Sequence, residues 1–138
     1  MMEREEIEKR IPHRPPFLWI DRVEELEAGE RCVASLTADA ANPIFAGHFP
    51  GRPVLPGVLM IEAVAQTAGV MLGEGGPPER ALLAAVNRFK FLRPVTPGER
   101  LRIETRKLTQ AASMAYIEGT ITVNGEKVAS GELSVAWG

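Results

Sequence analysis

The chain has 138 residues, of which 45% are hydrophobic and 25% charged, and its formal net charge at pH 7 is -2. This length fits one globular domain with a single core, so we expect residues 1–138 to form one domain. The balanced composition argues against intrinsic disorder, and the slightly acidic charge argues against a protein that binds nucleic acid.

The N-terminal part of the chain predicts a short helix followed by two strands. Residues 3–10 are charged and end at a proline, which is typical of a short surface helix. His13 lies in the proline-rich linker that follows, and we interpret it as an anchor for that segment. The segments 17–26 and 32–38 are rich in residues that favour strands, and an Ala-Gly turn between them predicts a hairpin.

The N-terminal residues, the length of the apolar helix and the single cysteine together indicate the cellular compartment. The charged start has no apolar core of a signal peptide, and the apolar helix described below is too short to span a bilayer. Cys32 is the single cysteine and has no partner for a disulfide, which indicates a buried thiol in a reducing compartment. We therefore expect a cytoplasmic protein without a membrane partner.

Residues 45–69 are the most specialised segment of the chain. The first half surrounds His48 with glycines and prolines, which fix the backbone and delay any helix until about residue 57. The second half is almost wholly apolar, and residues 58–72 are long enough for about four helical turns. A helix that is apolar on nearly every side is expected to lie in the interior.

The remaining residues predict four strands. Apolar or alternating patterns mark strands at 80–92, near 101–105, at 114–123 and at 128–137. The pair Asn124-Gly125 between the last two favours a type I′ hairpin turn. Because only one helix is apolar enough to cover the face of an antiparallel sheet, we expect an α+β fold with the sheet wrapped around that helix.

Three groups in the central segment could carry acid–base chemistry. His48 is a candidate base, and Glu62, in the second turn of the apolar helix, is a candidate acid because an unpaired buried carboxyl is costly. The backbone N–H of Gly57, at the positive end of the helix dipole, could hold a developing oxyanion. Such a set suits elimination next to a thioester carbonyl. His48 could equally be a structural turn histidine, and Gln66 is expected to bond to Glu62 or to backbone.

Basic residues occur near the end of the strand at 80–92. Arg88, Lys90 and Arg93 would share one face by two-residue periodicity, either as an ordinary solvated face or as a landing site for an acidic protein that carries the substrate. The sequence has no cluster with metal-ligand spacing and no phosphate-cradling glycine loop, so no cofactor is indicated.

From about Ile11 to the final strand, the chain resembles the 3-hydroxyacyl-[acyl-carrier-protein] dehydratases of type II fatty-acid synthesis. The resemblance is carried by His13-Arg14-Pro15-Pro16-Phe17-Leu18, by the run from Gly47 to Leu59, by Glu62-Ala63 and Ala65-Gln66, and by Arg93-Pro94-Val95 with Pro97-Gly98. It implies the hotdog fold and a homodimer with sheets joined edge to edge. It also implies further assembly into a hexamer, a trimer of dimers, and active sites that combine His48 of one subunit with Glu62 of the other.

The resemblance also implies roles for single residues. His48 would take the proton from the carbon next to the thioester carbonyl of a (3R)-hydroxyacyl chain on acyl carrier protein, and Glu62 would protonate or orient the leaving hydroxyl. The N–H of Gly57 would hold the carbonyl oxygen, and a trans-2-enoyl thioester would remain. We expect Phe49, Val58 and Ile61 to line an acyl tunnel at the subunit boundary, and Arg88, Lys90 and Arg93 to contact the carrier protein. Two alternatives stay open, a hotdog thioesterase and a non-catalytic acyl-binding relative.

Overall fold

The computed structural model describes residues 1–74 and 81–137, which form one long helix, two short helices and six strands. In chain order these are α1 (Arg4–Ile7), β1 (Arg22–Glu27), β2 (Arg31–Thr37), α2 (Ile44–Gly47), α3 (Gly57–Leu72), β3 (Leu82–Phe91), β4 (Arg100–Ala111), β5 (Met114–Val123) and β6 (Glu126–Ala136). The predicted central helix and six strands are present. The start of the strand predicted at 80–92 lies outside the described residues.

The strands form one antiparallel sheet in the order β1-β2-β4-β5-β6-β3. The chain passes through α3 between β2 and β3, which places β3 at the far edge beside β6. Between β5 and β6, Asn124 (φ 50°) and Gly125 (φ 81°) both have left-handed backbone, as a type I′ turn requires. The predicted hairpin is thus confirmed.

The long helix α3 packs against the concave face of the sheet and contacts all six strands. Its buried residues belong to the same hydrophobic core as the inward-facing residues of the strands. The helix approaches the sheet closely at Gly119 of β5, where an added Cβ would lie 2.4 Å from Cγ1 of Val64. This is the hotdog arrangement, and it confirms the predicted fold.

The first predicted strand, 17–26, is partly wrong, because β1 begins only at Arg22. The apolar and aromatic content of residues 17–21 favoured a strand, but part of that backbone bonds to a helix side chain. The carbonyl of Phe17 and the N–H of Trp19 both bond to the side-chain amide of Gln66. The short helix α2 was not predicted, since its four residues carry no periodic pattern.

The edge strand β3 is exposed along nearly its whole length. Its side chains include several large apolar ones that lie in solvent in the single chain, with Leu82 71% exposed and Phe91 45% exposed. The pairing of β3 with β6 is interrupted between Asn87 and Lys90, where Arg88 adopts left-handed backbone with φ 53°. An open apolar edge of this kind is a surface for another strand.

Candidate active site

One face of α3 is left partly uncovered by the sheet. Helical spacing of three and four residues brings the half-buried or exposed side chains of α3 into one stripe, which we call the open face of α3. It consists of Val58, Ile61, Glu62, Ala65, Gly69 and Leu72. Glu62 lies in the middle of this stripe, so the carboxyl faces outward from the core.

A cavity of about 340 Å³ lies along the open face of α3. Glu62 and His13 are on its wall, together with the small residues Ala65 and Gly69 of the helix. The other walls are mainly apolar and come from the N-terminal segment, the start of β3 and the end of β6, through Ile11, Pro12, Phe17, Leu82, Leu83 and Val135. Such a cavity, apolar with a few polar groups at one place, suits an acyl chain whose reacting end meets a carboxyl group.

The Glu62 carboxyl is held by two neighbours at the same oxygen. Its Oε2 accepts a hydrogen bond from Nε2 of Gln66 at 3.0 Å and lies 3.3 Å from Nε2 of His13. The side chain of Glu62 is only 20% exposed, and these contacts supply the partners that its position in an apolar helix demands. The other oxygen, Oε1, has no bond to protein in the described part of the chain.

Gln66 explains how that geometry is fixed. Its side chain is fully buried, and its amide nitrogen also donates to the carbonyl of Phe17 at 2.7 Å. Its amide oxygen accepts from the N–H of Trp19 at 2.9 Å. Both donors and the acceptor of the amide are thus engaged, which determines its orientation. Gln66 bonds both to Glu62 and to backbone, as the sequence predicted, and ties α3 to the N-terminal segment.

His48 follows α2 in the Gly- and Pro-rich segment, and its imidazole has a defined tautomer. Nδ1 lies 2.9 Å from the carbonyl oxygen of Val54. Because a carbonyl can only accept, Nδ1 carries the hydrogen, and Nε2 of the neutral ring has the free lone pair. The ring also stacks on Phe49, with centroids 4.1 Å apart. The bond to Val54 anchors the turn, and it leaves Nε2 able to accept a proton, so the structural and basic roles are compatible.

Within one chain, His48 and Glu62 are not brought together. His48 is not among the residues that line the cavity, and its bonding partner Val54 is not shared with Glu62. Their meeting across a subunit boundary stays a prediction.

Gly57 is the first residue of α3. No backbone or side-chain acceptor for its N–H is present among residues 1–74 and 81–137, as expected for the first turn of a helix. A Cβ at this position would lie 3.0 Å from Cζ of Phe91, so glycine is also needed for the ring of Phe91 to pack there. The N–H is therefore available as a donor near an aromatic ring, and its role toward substrate stays a prediction.

In the single chain, the three residues predicted to line an acyl tunnel do not line the cavity. Phe49 is exposed and stacked on His48, Val58 is 72% exposed, and Ile61 is half-buried on the open face of α3. The sequence interpretation missed Ala65 and Gly69, although their spacing of three and seven residues after Glu62 was a usable signal. It also took His13 as an anchor for the linker, whereas the structure places its ring against Glu62.

The three basic residues differ in environment. The irregularity of β3 at Arg88 interrupts the alternation that the sequence predicted, and Arg93 lies beyond the end of the strand. The guanidinium of Arg93 bonds to Glu99 and Glu126, and this bond to Arg93 lowers the pKa of Glu99. Arg88 and Lys90 are exposed. Their contact with a carrier protein stays a prediction, and Arg93 has a structural role as well.

Two further groups of observations concern cofactors and membranes. Residues 1–74 and 81–137 hold no group of three or more His, Cys, Asp or Glu side chains arranged to bind a metal ion. In the same residues, no helix has the length and apolar character needed to cross a bilayer.

Comparison with known proteins gives three findings. A family model described as a FabA-like domain matches residues 11–132. A 3-hydroxyacyl-[acyl-carrier-protein] dehydratase FabZ of Geotalea uraniireducens is 42% identical over 91% of this chain and 93% of that protein, and one of Roseiflexus sp. is 43% identical over 99% and 96%. The structure of the dehydratase heterocomplex ApeI:P from Xenorhabdus doucetiae matches with a TM-score of 0.82 at 20% identity, covering 96% of this chain and 90% of that chain.

Proposed function

Because the chain belongs to the family of 3-hydroxyacyl-[acyl-carrier-protein] dehydratases, we propose that Glu62 and His48 of two subunits carry out the reaction. The enzyme is a hydro-lyase that dehydrates 3-hydroxyacyl chains on acyl carrier protein in fatty-acid synthesis. The observation that carries the residue assignment is a carboxyl group, Glu62, fixed by two partners on the wall of an apolar cavity.

The proposed reaction is an elimination. Nε2 of His48 takes the proton from the carbon next to the thioester carbonyl, and the electron pair of that C–H bond forms the new double bond. The bond from the neighbouring carbon to the hydroxyl breaks, and the hydroxyl leaves as water with a proton from Glu62. The N–H of Gly57 donates to the thioester oxygen while negative charge develops there. The product from a (3R)-hydroxyacyl chain is the trans-2-enoyl thioester.

A second copy of the chain would complete the site. The exposed apolar edge of β3 and the open face of α3 are the surfaces that a homodimer joined edge to edge would cover. Such a dimer would bring the His48 segment of the partner toward Glu62. The tunnel would then extend between subunits, where Phe49, Val58 and Ile61 become lining residues. A trimer of such dimers is the proposed larger assembly.

The remaining proposals concern the carrier-protein contacts, the domain organisation and the cellular location. We propose that the acidic carrier protein binds at a basic patch. The patch consists of the exposed residues Arg88 and Lys90, with Arg93 beside them. Residues 1–138 are proposed to act as one hotdog domain, supported by the single core cluster around α3. A free, buried Cys32 is consistent with the proposed cytoplasmic location.

The catalytic assignment is tested with His48→Ala and Glu62→Gln. Each is expected to lower dehydration of carrier-bound 3-hydroxyacyl substrate by about 10²- to 10⁴-fold, read by mass spectrometry as loss of water from the acyl chain. Both variants should retain the far-ultraviolet circular dichroism of the wild type. Turnover close to wild type in either variant would contradict the assignment, and free acid and thiol as products would indicate a thioesterase.

Mixing the two inactive variants tests the shared site. A heterodimer of one His48→Ala subunit and one Glu62→Gln subunit contains one site with both changes and one site with both residues intact. Coexpression with two different affinity tags isolates this heterodimer. Recovered activity is expected, at about half of the wild-type value per dimer because one of two sites is intact. If both residues acted within the same subunit, the heterodimer would remain inactive.

A further inference from the structure

We propose that His13 is a positioning residue that shares a proton with Glu62 and keeps the carboxyl of Glu62 supplied with the proton it gives to the leaving hydroxyl. The proposal rests on the proposed function of Glu62 as the acid. It assigns a chemical role to a residue of the N-terminal linker.

The contact is specific to one ring nitrogen and one carboxyl oxygen. Nε2 of His13 lies 3.3 Å from Oε2 of Glu62, with 31% of the histidine side chain and 20% of the glutamate side chain exposed. The other ring nitrogen, Nδ1, is buried and has no hydrogen-bond partner in the described part of the chain. The imidazole therefore faces Glu62 through Nε2, the ring nitrogen within contact distance of the carboxyl.

Only one of the two partners of Glu62 can exchange a proton with it. The amide of Gln66 always donates to Oε2 and carries no titratable proton. The imidazole of His13 can either accept the proton of a carboxylic acid or donate its own to a carboxylate. When Glu62 loses its proton to the departing hydroxyl, a protonated His13 can return one through the same contact and recover its own from solvent.

Among residues 1–74 and 81–137, the other charged groups near the pair do not compete for this role. Arg10 lines the cavity, but it cannot exchange a proton at neutral pH, and its Nε donates to the carbonyl of Val70. The guanidinium of Arg14 bonds to Glu8 and to the backbone carbonyls of Ile11 and His13. The strand residues at the cavity, Leu82, Leu83 and Val135, are apolar. In the proposed dimer, the partner's His48 would approach across the bound acyl chain.

The test compares His13→Gln with His13→Ala in the full-length enzyme. Glutamine keeps an N–H donor near the position of Nε2, but it has no titratable proton. We measure kcat and KM for a carrier-bound 3-hydroxyacyl substrate between about pH 5 and pH 9, the range in which histidine changes charge. Both variants are expected to lower kcat by roughly tenfold or more with a smaller change in KM. The loss of activity on the alkaline side should also begin at lower pH, because Glu62 then holds its proton alone.

A merely structural role would give a different pattern. If His13→Gln retains the wild-type kcat and the wild-type pH profile, the side chain at this position only packs and donates a hydrogen bond. That result overturns the proposal. Glu62→Gln, assayed alongside, distinguishes a failure of the proposed function from a failure of the role of His13. An active Glu62→Gln enzyme would refute the proposed function itself, whereas an inactive one beside an unaffected His13→Gln enzyme refutes only the role of His13.

A spectroscopic measurement does not depend on the folding of any His13 variant. The chain has only two histidines, so enzyme labelled with ¹⁵N-histidine shows just two imidazoles by NMR, and His48→Ala assigns them. The imidazole ¹⁵N chemical shifts of His13 are expected to change in Glu62→Gln, because Nε2 then faces an amide instead of a carboxyl group. Unchanged shifts would show that the two side chains do not share a proton.

Discussion

The side chain of Gln66 connects α3 to the N-terminal segment, and Gln66→Leu removes these hydrogen bonds at nearly constant volume. Three hydrogen bonds are lost, to Phe17, Trp19 and Glu62. Leaving a buried polar group without a partner costs about 1–3 kcal/mol, and Glu62 keeps His13, so two backbone groups carry most of the loss. We expect the free energy of unfolding to fall by about 2–4 kcal/mol, which is a decrease in Tm of about 6–12 °C for a chain of this length.

The neighbouring residue provides a matched control. Thr67 is also fully buried, and its hydroxyl donates to the carbonyl of Ala63, which already accepts within the helix. Thr67→Val therefore loses one bond without leaving an unsatisfied group, at an expected cost below about 1 kcal/mol. Both variants are unfolded in urea and followed by circular dichroism at one protein concentration, because assembly contributes to stability. Equal losses in the two variants would refute the reasoning.

Three further predictions concern the core, a turn and the thiol. Gly119→Ala places a Cβ 2.4 Å from Val64 and should lower the free energy of unfolding by about 1–3 kcal/mol. The double variant Gly119→Ala, Val64→Ala should recover part of this loss, and no recovery would contradict the packing explanation. Gly125→Ala forces a side chain onto left-handed backbone at φ 81° and should cost about 1 kcal/mol in urea unfolding, whereas Gly47→Ala, with open space around it, should cost less. Burial raises the pKa of Cys32 to about 12, so a maleimide should label the unfolded but not the native protein near pH 8. Because the unfolded thiol ionises at lower pH, stability should fall as pH rises from about 9 toward 12, and rapid native labelling would contradict this.

The fold could be predicted from sequence because its decisive signals are local. The glycines and prolines around His48 fix where α3 can begin, and the uninterrupted apolar run after Gly57 predicts the helix. The turn at Asn124-Gly125 needs left-handed backbone at both positions, and these two residue types tolerate it best. Alternation then predicts β5 and β6 closely, but it finds only residues 101–105 of β4, which runs from Arg100 to Ala111. The irregular edge strand β3 fits less well, because bulges do not follow a two-residue period.

The candidate site could be predicted only in part. Glu62 stands out by a local rule, since a carboxyl group in an apolar helix needs a partner or a function. That partner, His13, is 49 positions earlier in the chain, and nothing in the pattern of residues between them indicates the contact. The cavity walls come from the N-terminal segment, α3, β3 and β6, so they depend on the tertiary fold. A local pattern could identify Glu62 as a candidate, but not the His13 side chain that contacts its carboxyl.

The late start of β1 and the position of His13 beside Glu62 have one physical cause, the buried amide of Gln66. Its bonds to Phe17 and Trp19 take up backbone groups that would otherwise pair in the sheet, so β1 begins only at Arg22. The same bonds draw the N-terminal segment against α3, which places the ring of His13 beside Glu62. Had the backbone at Phe17 and Trp19 paired in the sheet instead, the buried amide of Gln66 would keep only its bond to Glu62, and its other donor and its acceptor would have no partner. The departure from regular strand structure is therefore a condition for the geometry around the carboxyl group.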